Sequence, residues 1–558
     1  MNTPVPGIAA DISSRFVPAT RVMWTCGDVT GAEVFIGNTL HQTSFDRVRG
    51  KCVMKSGDEP ASVVIDFGSE LHGLVRPIIQ NVRSLQTGER CRADIRVRFG
   101  ESVNEAMAEI GEKNATNDHI NRDQIIDVDW LYMPEIGPTG FRFVRIDLLT
   151  PHTELILENV IAILRIRDLP YVGSFSCSDD MINRIWKVGA YTVQLCMQDY
   201  VWDGIKRDRL VWLGDMGPEV STILAVFGKA DVVEKSMDFA RDFTPLPGYI
   251  NNIESYSLWW IRNHADWYRH WGDIAYLRQQ QDYLRELTKL LCGLIDEDGR
   301  IRLENPPFIE WPSSSNIPAR YEGLQGHARL GLLDAVYLLE VLGEEETAQL
   351  ARDAAQRLTK YDPGCNGNKQ ATATASLGGV GDRKKAEAAL LDGGAQGLST
   401  FWGYYTLCAL AELGHIDAAL ADMREFWGAM IERGATSFWE DFSLDWLENA
   451  GRIDEITPDG VEDLHGDRGA YCYVGFRHSL CHGWAAGPTA FLSRYVLGVR
   501  PTDAVTFTVK PQLGTLSWVE GSYPTAKGEL RVRHERQPDG SVKTVVNAPE
   551  GIRVTVEA

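Results

Sequence analysis

VWDGIKRDRLVWLGDMGPEV, which runs from Val201 to Val220, is dense in ionisable side chains. Its four carboxylates are Asp203, Asp208, Asp215 and Glu219. Its three cations are Lys206, Arg207 and Arg209. Glycines and the pair Gly217-Pro218 interrupt the stretch, so a continuous helix is not expected. The pattern predicts a long ordered loop that ends at a helix N-terminus, with Pro218 near the first helical position.

A loop of this composition can direct several carboxylates into one cavity. Nearby cations keep some of them ionised, and an apolar wall such as Trp212 can hold another protonated. Sugar hydrolysis requires that combination, because one acid must give a proton while other carboxylates bind hydroxyl groups. The alternative interpretation is a solvated loop of alternating charge, which composition alone does not exclude.

Outward from this loop, the chain shows three regions of different periodicity. Residues 1 to about 60 carry weak signals compatible with an extended arm, and from Ala61 short alternating or β-branched runs predict an antiparallel sandwich. From about Ser174 to Leu497, apolar residues recur at helical spacing. After Gly498 the β pattern returns, and QPDGS at residues 537–541 is a hairpin signal.

The middle region contains a series of helical segments separated by short loops. The predicted segments are residues 178–200, 218–228, 231–243, 257–270, 274–292, 321–342, 345–360, 398–413, 416–432 and 479–496. Roughly ten to twelve helices in about 320 residues match a ring of helical hairpins, but periodicity alone does not distinguish a closed ring from an open solenoid.

Composition argues against several classes of protein. The formal charge of −21 over 558 residues disfavours a nucleic-acid or anionic-membrane partner. No apolar run reaches transmembrane length, and the N-terminus shows no secretory signal pattern. The ten cysteines form no cluster at metal spacing, so we expect reduced thiols, a cytoplasmic location and no metal ion. Motifs for nucleotide binding or a nucleophile elbow are lacking, and no cofactor is expected.

Sixteen tryptophans is a high number, and an excess fits a carbohydrate site, where ring faces stack on sugar C–H faces. In NIESYSLWWIRN, Trp259 and Trp260 face different sectors of one helix, so one should line a cavity and the other should pack in the core. In FIEWPSSSN, which begins at Phe308, Trp311 lies on a loop that we expect at the rim of the site.

DGIKRDRLVWLGD, residues 203–215, closely resembles the signature of the bacterial α-L-rhamnosidases, glycoside hydrolase family 78. ATSFWEDF at residues 435–442 and SLCHGWAAGPTAFLS at residues 479–493 resemble later stretches of that family in the same order. The resemblance covers roughly residues 60 to 555. It implies a six-hairpin (α/α)6 toroid at 174–497, flanked by antiparallel β-sandwich domains at 1–173 and 498–558.

The resemblance also implies an exo-acting hydrolase that releases terminal α-L-rhamnose with inversion. By motif position Asp208 is the acid candidate, although many relatives have glutamate there, and Glu440 is the base candidate. Inversion needs these carboxyl groups roughly 6.5–9.5 Å apart, so that a water fits between them and the sugar. The candidate substrate-binding residues are Asp203, Arg207, Trp212, Asp215, Trp259, Trp260, Trp311, Trp439 and His482.

The expected partner is a rhamnose-containing small molecule or oligosaccharide, bound by a monomer or homodimer. Two other hypotheses remain open. One is a related toroidal exo-glycosidase for another deoxy sugar or a uronic acid, and the other is a non-catalytic carbohydrate-binding protein. Retention of both candidate carboxylates counts against the second, and a panel of aryl glycosides would separate all three. The rim loops carry no readable code for the aglycone.

Overall fold

The computed structural model describes residues 12–45 and 48–557, and it consists of an N-terminal sheet, a helical core and two C-terminal sheets. The N-terminal strands are β1 (Ile12–Pro18), β2 (Arg21–Cys26), β3 (Asp28–Thr30), β4 (Cys52–Lys55), β5 (Ala61–Ser84), β6 (Ala93–Gly100), β7 (Asp123–Val128), β8 (Ile136–Leu148) and β9 (Thr153–Arg167). The short helix α1 (Val103–Met107) lies between β6 and β7.

These strands form one antiparallel sheet in the order β3-β4-β9-β5-β8-β6-β7, with β1 on β9 and β2 on β5. β5 and β9 are long, rich in β-branched residues and buried on both faces, which suits central strands. Residues 12–30 and 52–55 therefore add strands instead of forming an extended arm, because distant partners order these weakly patterned segments. The extended-arm prediction for residues 1–11, and most of the N-terminal stretch in which no signal pattern was found, lie outside the described residues.

The helices of the core surround one axis. They are α2 (Asp180–Cys196), α3 (Met216–Val226), α4 (Asp231–Asp242), α5 (Glu254–Trp271), α6 (Ile274–Cys292), α7 (Ile317–Leu342), α8 (Glu345–Leu358), α9 (Lys369–Leu377), α10 (Arg383–Leu391), α11 (Gly403–Leu413), α12 (Ile416–Glu432) and α13 (Gly487–Phe491). Alternate helices contact one another from α3 through α5, α7, α9 and α11 to α13, and α13 returns to α3. The ring is therefore closed, and the toroidal fold class is confirmed.

Burial separates inner from outer helices. α3 is buried on almost every side, whereas α4 and α8 are amphipathic with one apolar face toward the ring. In the part of the chain that the structure describes, no helix has both the length and the apolar character needed to cross a membrane.

Two helices, α9 and α10, lie where the sequence predicts none. Alanine and threonine dominate α9, so it has little amphipathic pattern, and Asn368 caps it through a bond from Ala371 N–H. Conversely, the predicted helix at 479–496 is replaced by an irregular segment, a 3₁₀ turn at Gly483–Ala486, α13 and a π turn at Leu492–Val496. Two glycines and a proline interrupt regular helix geometry there.

The C-terminal part contains two small sheets. Its strands are β10 (Ser174–Cys177), β11 (Val499–Asp503), β12 (Thr506–Val509), β13 (Trp518–Thr525), β14 (Gly528–Arg536), β15 (Val542–Asn547) and β16 (Arg553–Val556). One sheet has the order β10-β13-β14-β15 and the other β11-β12-β16. The predicted hairpin turn at 537–541 joins β14 to β15 and is confirmed. Because β10 precedes the helical core yet pairs with β13, residues 174–177 connect both parts, and the limit at 173/174 stays a prediction.

Candidate active site

The loop between α2 and α3 is irregular, as its sequence predicts. It folds back on itself because Asp203 N–H donates to the Leu210 carbonyl at 3.1 Å and Leu210 N–H donates to Oδ1 of Asp203 at 2.8 Å. At its tip, Asp208 and Arg209 both have left-handed backbone, with φ of 59° and 57°. This conformation is strained for residues other than glycine. The closed loop therefore holds Asp208 in a place that an unconstrained chain would not favour.

Arg207 joins two carboxylates that are far apart in sequence. Its Nη2 donates to Oε1 of Glu440 at 2.7 Å, and its Nη1 lies 3.2 Å from Oδ2 of Asp208. The Arg207 guanidinium thus bridges the two carboxyl groups. The Glu440 side chain is 3% exposed and that of Asp208 is 23% exposed.

Backbone and side-chain contacts fix Glu440. Ser479 N–H donates to its Oε2 at 3.1 Å, and its own N–H donates to the Ser479 carbonyl at 3.0 Å. Its carbonyl accepts from Nε1 of Trp484 at 2.9 Å and from the Thr400 hydroxyl at 2.6 Å. One carboxylate oxygen of Glu440 therefore faces Arg207 while the other faces a backbone amide, an arrangement that fixes the orientation of the group.

His482 lies among three carboxyl groups. Its Nε2 is 3.5 Å from Oε1 of Glu440, 3.8 Å from Oδ2 of Asp203 and 3.9 Å from Oδ2 of Asp215. Burial lowers the pKa of His482 well below its usual value, and the Arg207 guanidinium acts in the same direction. The ring is therefore neutral, and it can donate a hydrogen bond without compensating the negative charge.

The carboxyl groups of the pocket differ in protonation. Burial raises the pKa of Asp215 to about 8, although the Tyr256 hydroxyl donates to its Oδ1 at 2.9 Å and opposes the shift. Burial also raises the pKa of Asp203 well above its usual value, and neighbouring Asp215 adds to this. The pKa of Glu440 is raised by burial and lowered by Arg207. The pocket therefore combines buried carboxyls, in which burial favours the protonated form, with Asp208 and Glu440, which both contact the Arg207 cation.

Three of the predicted tryptophans border this region. Trp439 is fully buried and packs edge-on against the core, next to the base candidate. Trp212 is half-buried and contacts Tyr256 edge-on at 6.0 Å, on the side of Asp215. Trp311 is half-buried and contacts Tyr473, whose ring lies 5.5 Å from the Arg207 guanidinium carbon. Trp212 and Trp311 therefore offer partly exposed rings at the edge of the pocket.

The neighbouring pair on α5 separates as the helix-face argument predicts, but neither ring reaches this pocket. Trp260 is fully buried, and its Nε1 donates to the Met237 carbonyl of α4 at 3.1 Å. Its prediction as a sugar-binding residue is therefore corrected, because that face of α5 packs against the outer helices. Trp259 points toward the ring axis, but it lines a different cavity, where Arg262 lies 4.5 Å from its ring.

Sequence reasoning did not single out Trp484 and Tyr473. The Trp484 ring lies 4.3 Å from that of His482, and its Nε1 bonds to Glu440 as described. The proximity of Trp484 to His482 in sequence was a usable signal. Tyr473 lies in an irregular loop without periodicity, so only the folded chain places it under Arg207.

Among the described residues, Glu101, Glu105 and His465 lie close enough together to hold a metal ion. However, Nζ of Lys206 lies 3.1 Å from Oε2 of Glu101 and 3.0 Å from Oε1 of Glu105. It also donates to the His478 carbonyl at 2.6 Å. The ammonium group thus supplies the cation at this cluster, which fastens the loop to the N-terminal sheet.

A closed ring of six inner helices defines a six-hairpin toroid. Two family models match the chain. The bacterial alpha-L-rhamnosidase 6 hairpin glycosidase domain matches residues 170–289, and the bacterial alpha-L-rhamnosidase C-terminal domain matches residues 498–557. The resemblance to bacterial α-L-rhamnosidases inferred from the sequence is thereby confirmed.

Individual relatives are distant. An α-L-rhamnosidase of Formosa agariphila is 24% identical over 187 residues, which are 30% of this chain and 19% of that protein. The GH78 family rhamnosidase of Bacillus sp. GL1 has a TM-score of 0.73 at 21% identity, covering 92% of this chain and 55% of its own. A Klebsiella oxytoca rhamnosidase with rhamnose bound has a TM-score of 0.67 at 20% identity, and the match covers 86% of this chain and 95% of that chain. The chain thus spans about a fifth of the first relative and about half of the second.

Proposed function

We propose that this protein is an exo-acting α-L-rhamnosidase that releases terminal α-L-rhamnose from glycosides or oligosaccharides with inversion. One observation carries the proposal: a single guanidinium, that of Arg207, separates Asp208 from Glu440 beside a group of buried carboxyls. A pair of carboxyl groups, one acting as acid and the other as base, is the machinery of glycoside hydrolysis. The family models and the rhamnosidases of the same fold support rhamnose as the sugar.

In the proposed reaction, Asp208 protonates the leaving oxygen and Glu440 accepts a proton from the attacking water. The exposure of the two side chains supports this assignment, because the partly exposed Asp208 is on the side from which an aglycone can leave, whereas Glu440 is buried. The Arg207 guanidinium favours the ionised form of Glu440, which a base requires. Neutral His482 is placed to donate to a sugar hydroxyl.

The charge of the pocket supports a neutral sugar over a uronic acid. Asp203 and Asp215 are buried, and the pKa values of both are raised, by burial first and by neighbouring carboxylates second. Protonated carboxyls can donate to and accept from hydroxyl groups. A further carboxylate from a uronic acid would have to enter beside Glu440 with only Arg207 to compensate it, which costs electrostatic free energy.

A panel of nitrophenyl glycosides tests this proposal. We expect turnover of the α-L-rhamnoside and no comparable turnover of α-L-fucosides or β-D-glucuronides. Proton NMR of the first product should show the β-anomer of L-rhamnose, because inversion changes the anomeric configuration. No turnover of the rhamnoside would reject the function, and the α-anomer as first product would reject inversion alone.

We also propose the domain limits 1–173, 174–497 and 498–558, a cytoplasmic location and a monomer or homodimer. The change from sheet to helix and back supports the domain limits. All ten cysteines are free thiols, as is usual in a reducing compartment. Sedimentation of the purified chain and limited proteolysis would test the assembly and the domain limits.

A further inference from the structure

A second cavity, of about 750 Å³, lies inside the helical ring. On α3 it begins at Gly217, just after the pocket residue Asp215, and continues to Ala225. On α5 it extends from Trp259 to Arg269, a rise of about 15 Å along the axis. The cavity therefore continues along the inner helices, away from the catalytic carboxylates and toward the C-terminal sheets.

Aromatic side chains separate this cavity from the catalytic pocket. The Trp484 ring contacts His482 on one side and stacks on Phe401 at 4.9 Å on the other. Phe401 lies 6.4 Å from Trp259, which lies 5.2 Å from Tyr405, and these last two rings line the cavity. None of the candidate catalytic carboxylates lines it, so the two spaces are distinct within the described part of the ring.

The cavity carries an excess of positive charge inside a strongly acidic protein. Its cations are Arg262, Arg269, Arg383, Arg494 and Arg500, and its anions are Asp266, Asp334 and Glu412. Arg269 pairs with Asp266 at 2.9 Å and with Asp334 at 3.2 Å, and Nε of Arg262 lies 3.7 Å from Oδ2 of Asp334. Arg500 pairs with Glu412 at 3.1 Å. Among residues 12–45 and 48–557, no carboxylate lies within ion-pair distance of Arg494, which extends into the cavity from the π turn.

Several buried donors at the cavity lack an acceptor in the described structure. They are Nε1 of Trp259, Nε of Arg262 and Nη2 of Arg500. A buried donor without a hydrogen-bond acceptor is costly. All of these groups are donors, so a ligand that completes them must be rich in acceptors. Guanidinium groups bind carboxylate and phosphate through paired hydrogen bonds.

We propose that this cavity binds a small polyhydroxylated molecule bearing one oxyanion, a carboxylate or a phosphate, with Arg494 as its main anchor. The hydroxyl groups of such a ligand would accept from Trp259, and a sugar ring face would pack on the aromatic wall. Its negative charge would compensate the excess cations. The site is separate from the catalytic pocket, so the inference does not rest on the proposed hydrolysis.

Titration calorimetry on the full chain tests the proposal with D-glucuronate, glucose 6-phosphate and uncharged D-glucose. We expect saturable binding of at least one charged probe and none of glucose, and the stronger of the two identifies the preferred oxyanion. Saturating L-rhamnose should leave this binding unchanged. Failure of both charged probes to bind, or their displacement by L-rhamnose, would overturn the inference.

Variants assign the anchor. Arg494→Met keeps the apolar stem and removes the charge, and it should weaken binding at least about tenfold. Arg494→Lys retains the charge but not the paired N–H donors of the guanidinium, so its affinity should lie between that of Arg494→Met and that of the wild type. It serves as the test if the Met variant does not fold. Arg184→Met changes an exposed arginine of α2 and should bind like the wild type. Undiminished binding by Arg494→Met or Arg494→Lys, or equal weakening by Arg184→Met, would contradict the assignment.

Discussion

Two buried charge clusters lie along the same loop, and they differ in how fully their charges are compensated. Around Lys206 the ammonium contacts Glu101 and Glu105 and donates to two backbone carbonyls. On the pocket side, Asp203 and Asp215 approach a neutral histidine, and both oxygens of Glu219 lack a hydrogen-bond partner among the described residues. The hydrogen-bonding groups of the Lys206 cluster all have partners within the protein, whereas those of the pocket cluster do not.

The difference separates a structural role from a functional one. A buried ion pair with full hydrogen bonding fixes geometry, whereas buried carboxyls without partners leave polar capacity for a ligand. The two clusters are also connected. Glu101 accepts from Leu480 N–H at 2.5 Å and from the Ser479 hydroxyl at 3.2 Å, and Ser479 N–H in turn holds Glu440. The N-terminal sheet thus supports the orientation of the base candidate.

Removal of the base candidate should have the largest effect. Glu440→Gln keeps the shape but cannot accept the proton from water, so we expect kcat to fall roughly 10²–10⁴-fold. The melting temperature should change little. Asp441→Asn alters the adjacent buried carboxyl and serves as the matched control, with most of the rate retained. Equal losses in the two variants would withdraw the role from Glu440.

Removal of the anchoring cation should mainly reduce stability. Lys206→Met leaves Glu101 and Glu105 buried without their cation, so we expect a loss of about 3–5 kcal/mol in the free energy of unfolding, measured with urea. Arg209→Met, on the same loop, removes only two bonds of 3.3 Å to carbonyls and should cost less. A smaller loss for Lys206→Met than for Arg209→Met would contradict the anchoring role.

The rate loss on removing the acid candidate, Asp208, should depend on the leaving group of the substrate. An alkyl rhamnoside needs a proton on its leaving oxygen, whereas nitrophenolate needs little help. Asp208→Asn should therefore slow the alkyl substrate at least about tenfold more than the nitrophenyl one, while Glu440→Gln should slow both alike. If Asp208→Asn slows both substrates equally, the proton comes from elsewhere. Asp215, whose pKa of about 8 reflects its burial, would then be the first alternative.

The effect expected at Glu219 appears only as a change of stability with pH. Burial raises the pKa of this carboxyl well above its usual value, so the folded state holds a proton that the unfolded state releases above about pH 4.3. This group therefore destabilises the fold increasingly as pH rises, by up to about 1.4 kcal/mol per pH unit until the folded pKa is reached. Glu219→Gln removes the titration, so its stability relative to the wild type should increase between about pH 5 and pH 8 in thermal melts. The same difference at both pH values would contradict this account.

The sequence by itself determined the succession of sheet, helices and sheet, because helical and alternating periodicity are local properties of the chain. It also located the loop at 201–220 and both candidate catalytic carboxyls, since these lie in short contiguous motifs. Prediction from the sequence failed at α9 and at α13. Alanine and threonine give α9 little amphipathic periodicity, and glycines and a proline make α13 shorter than the predicted helix.

Only the tertiary structure decided which charged side chains form buried ion pairs, and which of the two adjacent tryptophans on α5 lines a cavity. Arg207 and Glu440 are 233 residues apart, and Lys206 and Glu105 are 101 apart, so no local pattern could pair them. Likewise, Trp259 and Trp260 are adjacent in sequence, but their surroundings depend on helices that arrive from elsewhere in the chain. Burial, and with it the pKa of each carboxyl, is a property of the closed ring, because it is set by the side chains that the whole fold brings around each group.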